Sequence, residues 1–271
     1  MQVFKGSQSD APEGLLLVGH GTRDIVGVAE FLETAAEVST LVAPRPVEPC
    51  FLELAEPPID VAVARLIERG VRRLTVVPLL LFAAGHARRD IPRAVTAALV
   101  DHPEITVRQT SPLGCHPDLV RLSVLRYEEA IAEAGPVLAG SSAVSRADST
   151  LLLLVGRGSN DARATAEMLR FSELRADATP VGRTETCFFA MAEPSFADML
   201  PRTAGLDFSR IVVQPHLLFR GELLSQIGTH VASIAAAHPG QHWLLARHLG
   251  PHQALSRTVA EVAAKPDRSG L

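Results

Sequence analysis

The sequence has little of what marks several large classes of protein. Aromatic residues make up 4% of its 271 residues, with one Trp and one Tyr. Recognition of single strands by base stacking needs aromatic platforms, so that role has no support. The formal net charge of -4 removes the basic excess that a nucleic-acid partner requires. Cys50, Cys115 and Cys187 lie far apart and form no CxxC pair. This excludes a zinc ribbon and a disulfide framework and fits buried thiols in a reducing compartment. The longest apolar run, Leu74 to Gly85, is too short to span a bilayer. Residues 1–13 are polar and carry no signal-peptide pattern. They are expected to form a disordered leader on a cytoplasmic protein.

What is present is 47% hydrophobic, enough for a sizeable core. It is arranged as short apolar runs alternating with helical periodicity. Val76-Val77-Pro78-Leu79-Leu80-Leu81-Phe82 reads as a buried parallel strand that turns at Ala83-Ala84-Gly85 and delivers His86. A helix should follow from about Ile91, with Asp90 near its cap and Pro92 in its first turn. Leu15-Leu16-Leu17-Val18 is a second such strand, followed at once by Gly19-His20-Gly21-Thr22-Arg23. Ligands of open α/β sheets bind beyond the carboxyl ends of strands, which is where both histidines fall. Further strands are expected over 47–54 and 106–109, with helices over 24–39, 58–69 and 118–134. The alternation predicts an α/β fold, a doubly wound domain with a mostly parallel sheet of about four strands flanked by helices.

The pattern then restarts. Residues 135–149 read as a Gly/Ser/Ala linker. A shift of 137 carries Gly19 to Gly156, Gly21 to Gly158, Asp24 to Asp161, Cys50 to Cys187 and Glu56-Pro57 to Glu193-Pro194. It also carries Leu80-Leu81-Phe82 to Leu217-Leu218-Phe219. A shift of 136 then carries Leu113-Gly114 to Leu249-Gly250 and His116 to His252. The chain is thus two copies of one domain, over 14–134 and 150–264, with a disordered tail over 265–271. The active cleft is expected between the copies.

The second copy acts as a control on the first. His20 becomes Arg157, His86 becomes Leu223 and Glu53 becomes Ala190, whereas Glu56 is kept as Glu193. Glu56 is therefore read as a helix-start residue, and His20, Glu53 and His86 as one functional set. Two imidazoles and a carboxylate suit a divalent first-row ion and leave coordination positions open. His116 and His252 match across the repeat and are read as structural. His238, His242 and His248 are read as solvated or capping residues. His216, which replaces Leu79 inside the strand pattern, could face the cleft but is read as a satisfied core histidine.

GHGTR at a strand end, FLELAEPP and VPLLLFAAGHARRDIP, in a chain with a degenerate second copy, resemble the long, two-domain CbiX and SirB-type sirohydrochlorin chelatases. These are class II tetrapyrrole chelatases. The resemblance covers nearly the whole chain apart from leader, linker and tail. It implies ATP-independent insertion of Co2+ or Fe2+ into sirohydrochlorin, for cobalamin or sirohaem synthesis. It also implies that His20 and His86 handle metal and pyrrole protons; Glu53 joins them as third group on the comparison of the two copies. The metal is substrate, and no cofactor is permanently bound. Arg23, Arg88, Arg89, Arg157 and Arg220 lie next to the functional strand ends and suit the substrate's carboxylates. No nucleic-acid or membrane partner is expected, and the chain should act as a monomer or homodimer. A metal or tetrapyrrole carrier, and a ferrochelatase for another porphyrin, remain open as alternatives. Histidine phosphatases are disfavoured, because Gly19 stands where their arginine would precede the histidine.

Overall fold

The computed structural model describes residues 11–83, 85–135 and 148–265. The first half runs β1 (Glu13–Gly19), α1 (Ile25–Leu41), β2 (Val47–Phe51), α2 (Ile59–Glu68), β3 (Arg73–Pro78), α3 (Ile91–Ala98), β4 (Thr106–Gln109) and α4 (Pro117–Ala134). The second repeats it as β5 (Thr150–Gly156), α5 (Ala162–Asp177), β6 (Arg183–Phe188), α6 (Phe196–Ala204), β7 (Arg210–Pro215), α7 (Glu222–Ala237), β8 (His242–Leu245) and α8 (Gln253–Ala264). The sheets are β2-β1-β3-β4 and β6-β5-β7-β8, and every pairing is parallel.

Parallel strands joined by helices are covered on both faces, which explains the uninterrupted apolar runs. Successive side chains point to opposite faces. Leu15 and Leu17 accordingly pack with Val77 and Leu79 in one core, and Leu16 and Val18 pack with Val63, Leu66 and Val76 in another. Each fully buried aliphatic side chain contributes roughly 1.5–3 kcal/mol. The first of these cores is shared between the halves. It joins Phe31 of α1 to Phe171 of α5 and to Leu255, Val259 and Val262 of α8.

The interface also has a polar part. Arg175 of α5 is fully buried, donates to Ser123 Oγ of α4 at 3.0 Å and lies 5.4 Å over the Tyr127 ring. Burial lowers its pKa to about 10. Gln214 of β7 donates to Ser123 O at 2.7 Å. Arg126 of α4 donates to Leu249 O at 2.9 Å. These bonds fix the two halves in one orientation.

Some expectations change. Glu13, assigned to the leader, opens β1, because its carboxylate meets Arg45 at 2.5 Å, Thr75 Oγ1 at 2.7 Å and Arg73 at 3.5 Å. Leader residues 1–10, linker residues 136–147 and tail residues 266–271 lie outside the described residues. Lys265, placed in the tail, forms the C-cap of α8. Strand β2 stops at Phe51 rather than Leu54, where the chain turns through a positive φ of 65° at Leu54. Asp90 sits at the N-cap position of α3 and Pro92 in its first turn as expected, but the Asp90 side chain makes no cap hydrogen bond. A π-helical turn, His86–Asp90, already runs into α3, and Asp90 has helical backbone angles. Neither Glu56 nor Glu193 is a helix N-cap. The retained Glu-Pro pairs form cis peptides, and α2 starts three residues later at Ile59. Glu193 reaches the helix entry indirectly, accepting from Ser195 N at 2.7 Å, and Ser195 caps α6.

Candidate active site

In a sheet ordered β2-β1-β3-β4 the chain reverses its winding direction beside β1, and the crevice opens at the carboxyl ends of β1 and β3. His20 follows β1, Glu53 follows β2 and His86 follows β3. The paired second sheet brings its own strand ends to the same place. Between them lies a cleft of about 980 Å³, lined by the 19–22, 79–82, 156–162 and 216–220 stretches among others.

His20 and Glu53 are brought together by backbone. Leu52 N donates to Gly19 O at 2.9 Å and Glu53 N to His20 O at 3.1 Å, which extends the β1–β2 ladder past both strands. Gly21 makes this possible. It has φ +97°, and a Cβ there would lie 1.7 Å from Glu53 O. Only glycine meets both demands without distortion. Gly158, with φ +87°, stands in the same relation to Ala190 O, at 1.6 Å. The turn is therefore a property of the fold, and the carboxylate is what the first half adds to it.

His20 Nε2 lies 3.3 Å from Glu53 Oε1. The imidazole is a quarter exposed and lines the cleft, although Nε2 itself is sealed from solvent, whereas Glu53 is half exposed and is not among the lining residues. His20 Nδ1 lies 3.2 Å from Gly21 O. A carbonyl can only accept, so Nδ1 supplies the proton of that contact and Nε2 is the nitrogen that faces the carboxylate. Two acceptors at this distance are reconciled by a proton on Nε2 or by a cation between them. Ligand atoms bound about 2.1 Å from one ion sit roughly 3.0–3.4 Å apart, which matches the observed separation. The backbone of His86 begins the π-helical turn, and its imidazole lies outside the described residues.

Four of the five expected arginines line the cleft: Arg88 and Arg89 from the first half, Arg157 and Arg220 from the second. Arg23 is exposed and is not among the lining residues. Arg220 is already engaged. Its Nε donates to Asp24 Oδ2 at 3.0 Å and its backbone N to Glu30 Oε2 at 2.7 Å. Glu30 Oε2 also pairs with His248 Nε2 at 2.9 Å. Burial holds His248 below its usual pKa although Glu30 opposes that shift. Arg220, Glu30 and His248 thus form a latch between the halves beside the cleft. The sequence signal for it was absent, because its members are 190 and 218 residues apart from Glu30.

The remaining histidines sort by geometry. His116 and His252 cap α4 and α8, with Nδ1 accepting from Asp118 N at 3.3 Å and Ala254 N at 3.0 Å. His116, Asp118 and Glu261 do cluster within 4.8 Å. With Nδ1 accepting, however, the His116 proton is on Nε2, facing Glu261 at 3.5 Å. That arrangement is a capped helix held to α8, with no lone pair offered to an ion. His216 is buried as expected, but it is not satisfied: its Nε2 has no hydrogen-bond partner. Among the described residues no helix is long and apolar enough to cross a membrane.

Comparisons with known proteins agree with this architecture. The family model described as CbiX matches residues 14–130 and again 151–265. The chain is 28% identical to a sirohydrochlorin ferrochelatase of Priestia megaterium, over 93% of this chain and 89% of that one. It is 27% identical to a sirohydrochlorin cobaltochelatase of the same organism, over 93% and 79%. Among solved structures, SirB from Bacillus subtilis with Fe3+ superposes with a TM-score of 0.80 at 25% identity, covering 93% of this chain and 96% of that one. The family model accounts for both copies of the repeat, and the chain belongs to the CbiX family.

Proposed function

We propose that the protein inserts a divalent metal, Co2+ or Fe2+, into sirohydrochlorin without ATP, at a site built by the first half. The observation that carries this reading is His20 in the lining of a cleft shared by both halves, with Glu53 beside it at 3.3 Å, in a chain whose relatives are named for this reaction with either metal. Metallation must strip water from the ion and remove two protons from pyrrole N–H groups. His20 offers one lone pair that serves first as ligand and then as base, near neutral pH. Glu53 balances the ion's charge and stabilises the imidazolium that forms. His86, delivered by β3, supplies the second imidazole. Arg88, Arg89 and Arg157 face the cleft and pair with the substrate's carboxylates. Arg220 contributes by holding the second half in place, and Arg23 plays no part in binding.

Both strand-end sets come from one chain, so a monomer or a homodimer suffices. The site needs no permanently bound cofactor, and the protein acts in the cytoplasm. The test is anaerobic metallation of sirohydrochlorin followed by absorbance, with Co2+ and Fe2+ compared. Many turnovers per chain are expected. A product yield that stops at one equivalent identifies a carrier instead, and turnover of a less carboxylated porphyrin alone identifies another chelatase.

A further inference from the structure

The second half lost His20, Glu53 and His86, yet it places one imidazole of its own at the cleft. His216 follows β7 directly and lines the cleft with Leu217 to Arg220. Its counterpart in the first half is Leu79, which packs in the apolar core. The fold therefore asks only for an apolar side chain here. His216 is 3% exposed. Its ring stacks on Phe171 of α5 at 3.9 Å and on Phe82 of the β3–α3 connection at 5.4 Å. An aromatic slot of this kind would hold phenylalanine at no polar cost, so the nitrogens need an explanation.

The two nitrogens differ. Nε2 is sealed from solvent and has no partner. Nδ1 is neither sealed in this way nor bonded to a described residue, and is the nitrogen left to face the cleft. A sealed N–H donor without an acceptor is among the rarest features of folded proteins, and an unused acceptor is better tolerated. The favoured tautomer thus carries its proton on Nδ1 and presents a neutral N–H to the cleft. Burial lowers the pKa of this histidine to about 3, so the donor stays neutral over the whole working range.

We propose that His216 is a substrate-binding residue of the second half, whose Nδ1–H donates to a carboxylate arm of the tetrapyrrole. The proposal rests on the reading of the cleft as a tetrapyrrole site. It adds a second binding residue to the degenerate half, beside Arg157, and leaves the metal to the first half. A neutral donor adds directional recognition beside the charged arginines without repelling the incoming cation.

The test compares wild type, His216→Phe and His216→Asn. The phenylalanine ring keeps the stack and removes the donor, and the asparagine amide restores a neutral donor near the Nδ1 position. Binding of metal-free sirohydrochlorin is measured by fluorescence quenching, Co2+ binding by titration without tetrapyrrole, and folding by thermal melting. His216→Phe should weaken tetrapyrrole binding by about tenfold or more, the loss of one hydrogen bond to a charged acceptor. Its melting temperature should not fall and its Co2+ affinity should not change. His216→Asn should recover most of the lost affinity. Unchanged tetrapyrrole binding in His216→Phe overturns the proposal, as does a loss of Co2+ binding, which would make the residue a metal ligand. Failure of wild type to bind sirohydrochlorin at all overturns the chelatase reading itself, so the two failures are distinct.

Discussion

Alanine at Gly21 and at Gly158 separates what the strand-end turn does for the fold from what it does for chemistry. At Gly21 an added Cβ would lie 1.7 Å from Glu53 O, against an ordinary contact of at least 3.4 Å. The carbonyl must retreat by the difference, 3.4 - 1.7 = 1.7 Å, and take the Glu53 carboxylate with it. The backbone at φ +97° adds roughly 1–2 kcal/mol for a residue with a Cβ. At Gly158 the insult is matched, with 1.6 Å to Ala190 O and φ +87°, but the displaced residue carries no carboxylate. Both variants should therefore lose similar stability in urea unfolding. A displacement beyond 1 Å at a reacting group costs on the order of a hundredfold in rate. Initial rates of metallation, scaled to the folded fraction, should fall by about that factor in Gly21→Ala. In Gly158→Ala they should stay within about fivefold. Equal losses in the two variants would refute the reasoning, because the turn would then matter only as structure.

Other consequences follow from the same geometry. His20→Ala should abolish assisted metallation while circular dichroism and melting stay unchanged; retained activity would reject its role as base and ligand. Arg88→Ala, Arg89→Ala and Arg157→Ala should each raise KM for sirohydrochlorin with little change in kcat, as loss of uniform binding does, whereas Arg23→Ala should change neither. Glu30→Gln should destabilise the protein by about 1.5–3 kcal/mol in urea unfolding, since its carboxylate serves both Arg220 and His248 through charge-assisted bonds. The folded-state pKa of His216 is lowered to about 3 from 6.5. Between those values the unfolded chain holds a proton that the folded chain does not. Its contribution is intact above about pH 6.5 and is lost as pH falls toward 3, at up to roughly 1.4 kcal/mol per pH unit. Melts of wild type and His216→Phe should accordingly diverge between pH 7 and pH 4.5; parallel curves would show that the ring titrates normally.

The repeat carried most of the fold to the level of sequence. A shift of 137 matches Asp24 to Asp161 and a shift of 136 matches His116 to His252, and all four prove to be helix N-caps. Short apolar runs located the central strands β1, β3, β5 and β7, which are buried on both faces almost throughout. The candidate site was legible where the second copy lacks a polar group that the first carries, as at Glu53 against Ala190. Long-range pairings were not legible. Glu13 looked like part of a polar leader, and only its strand neighbours show why a carboxylate starts β1. Arg220 looked like a substrate ligand by position, but its partners Asp24 and Glu30 come from the other half. His216 reads as a core residue that could face the cleft, and it is both buried and part of the cleft lining, but its unmet nitrogen has no signal in the sequence.

The most direct measurement of the central claim is an anaerobic Co2+ titration of wild type, His20→Ala and Arg157→Ala, read by the visible absorption of the bound ion. One equivalent per chain should bind, disappear in His20→Ala and persist in Arg157→Ala. Two equivalents in wild type, or undiminished binding after His20→Ala, would contradict a single metal-handling centre equipped by the first half alone.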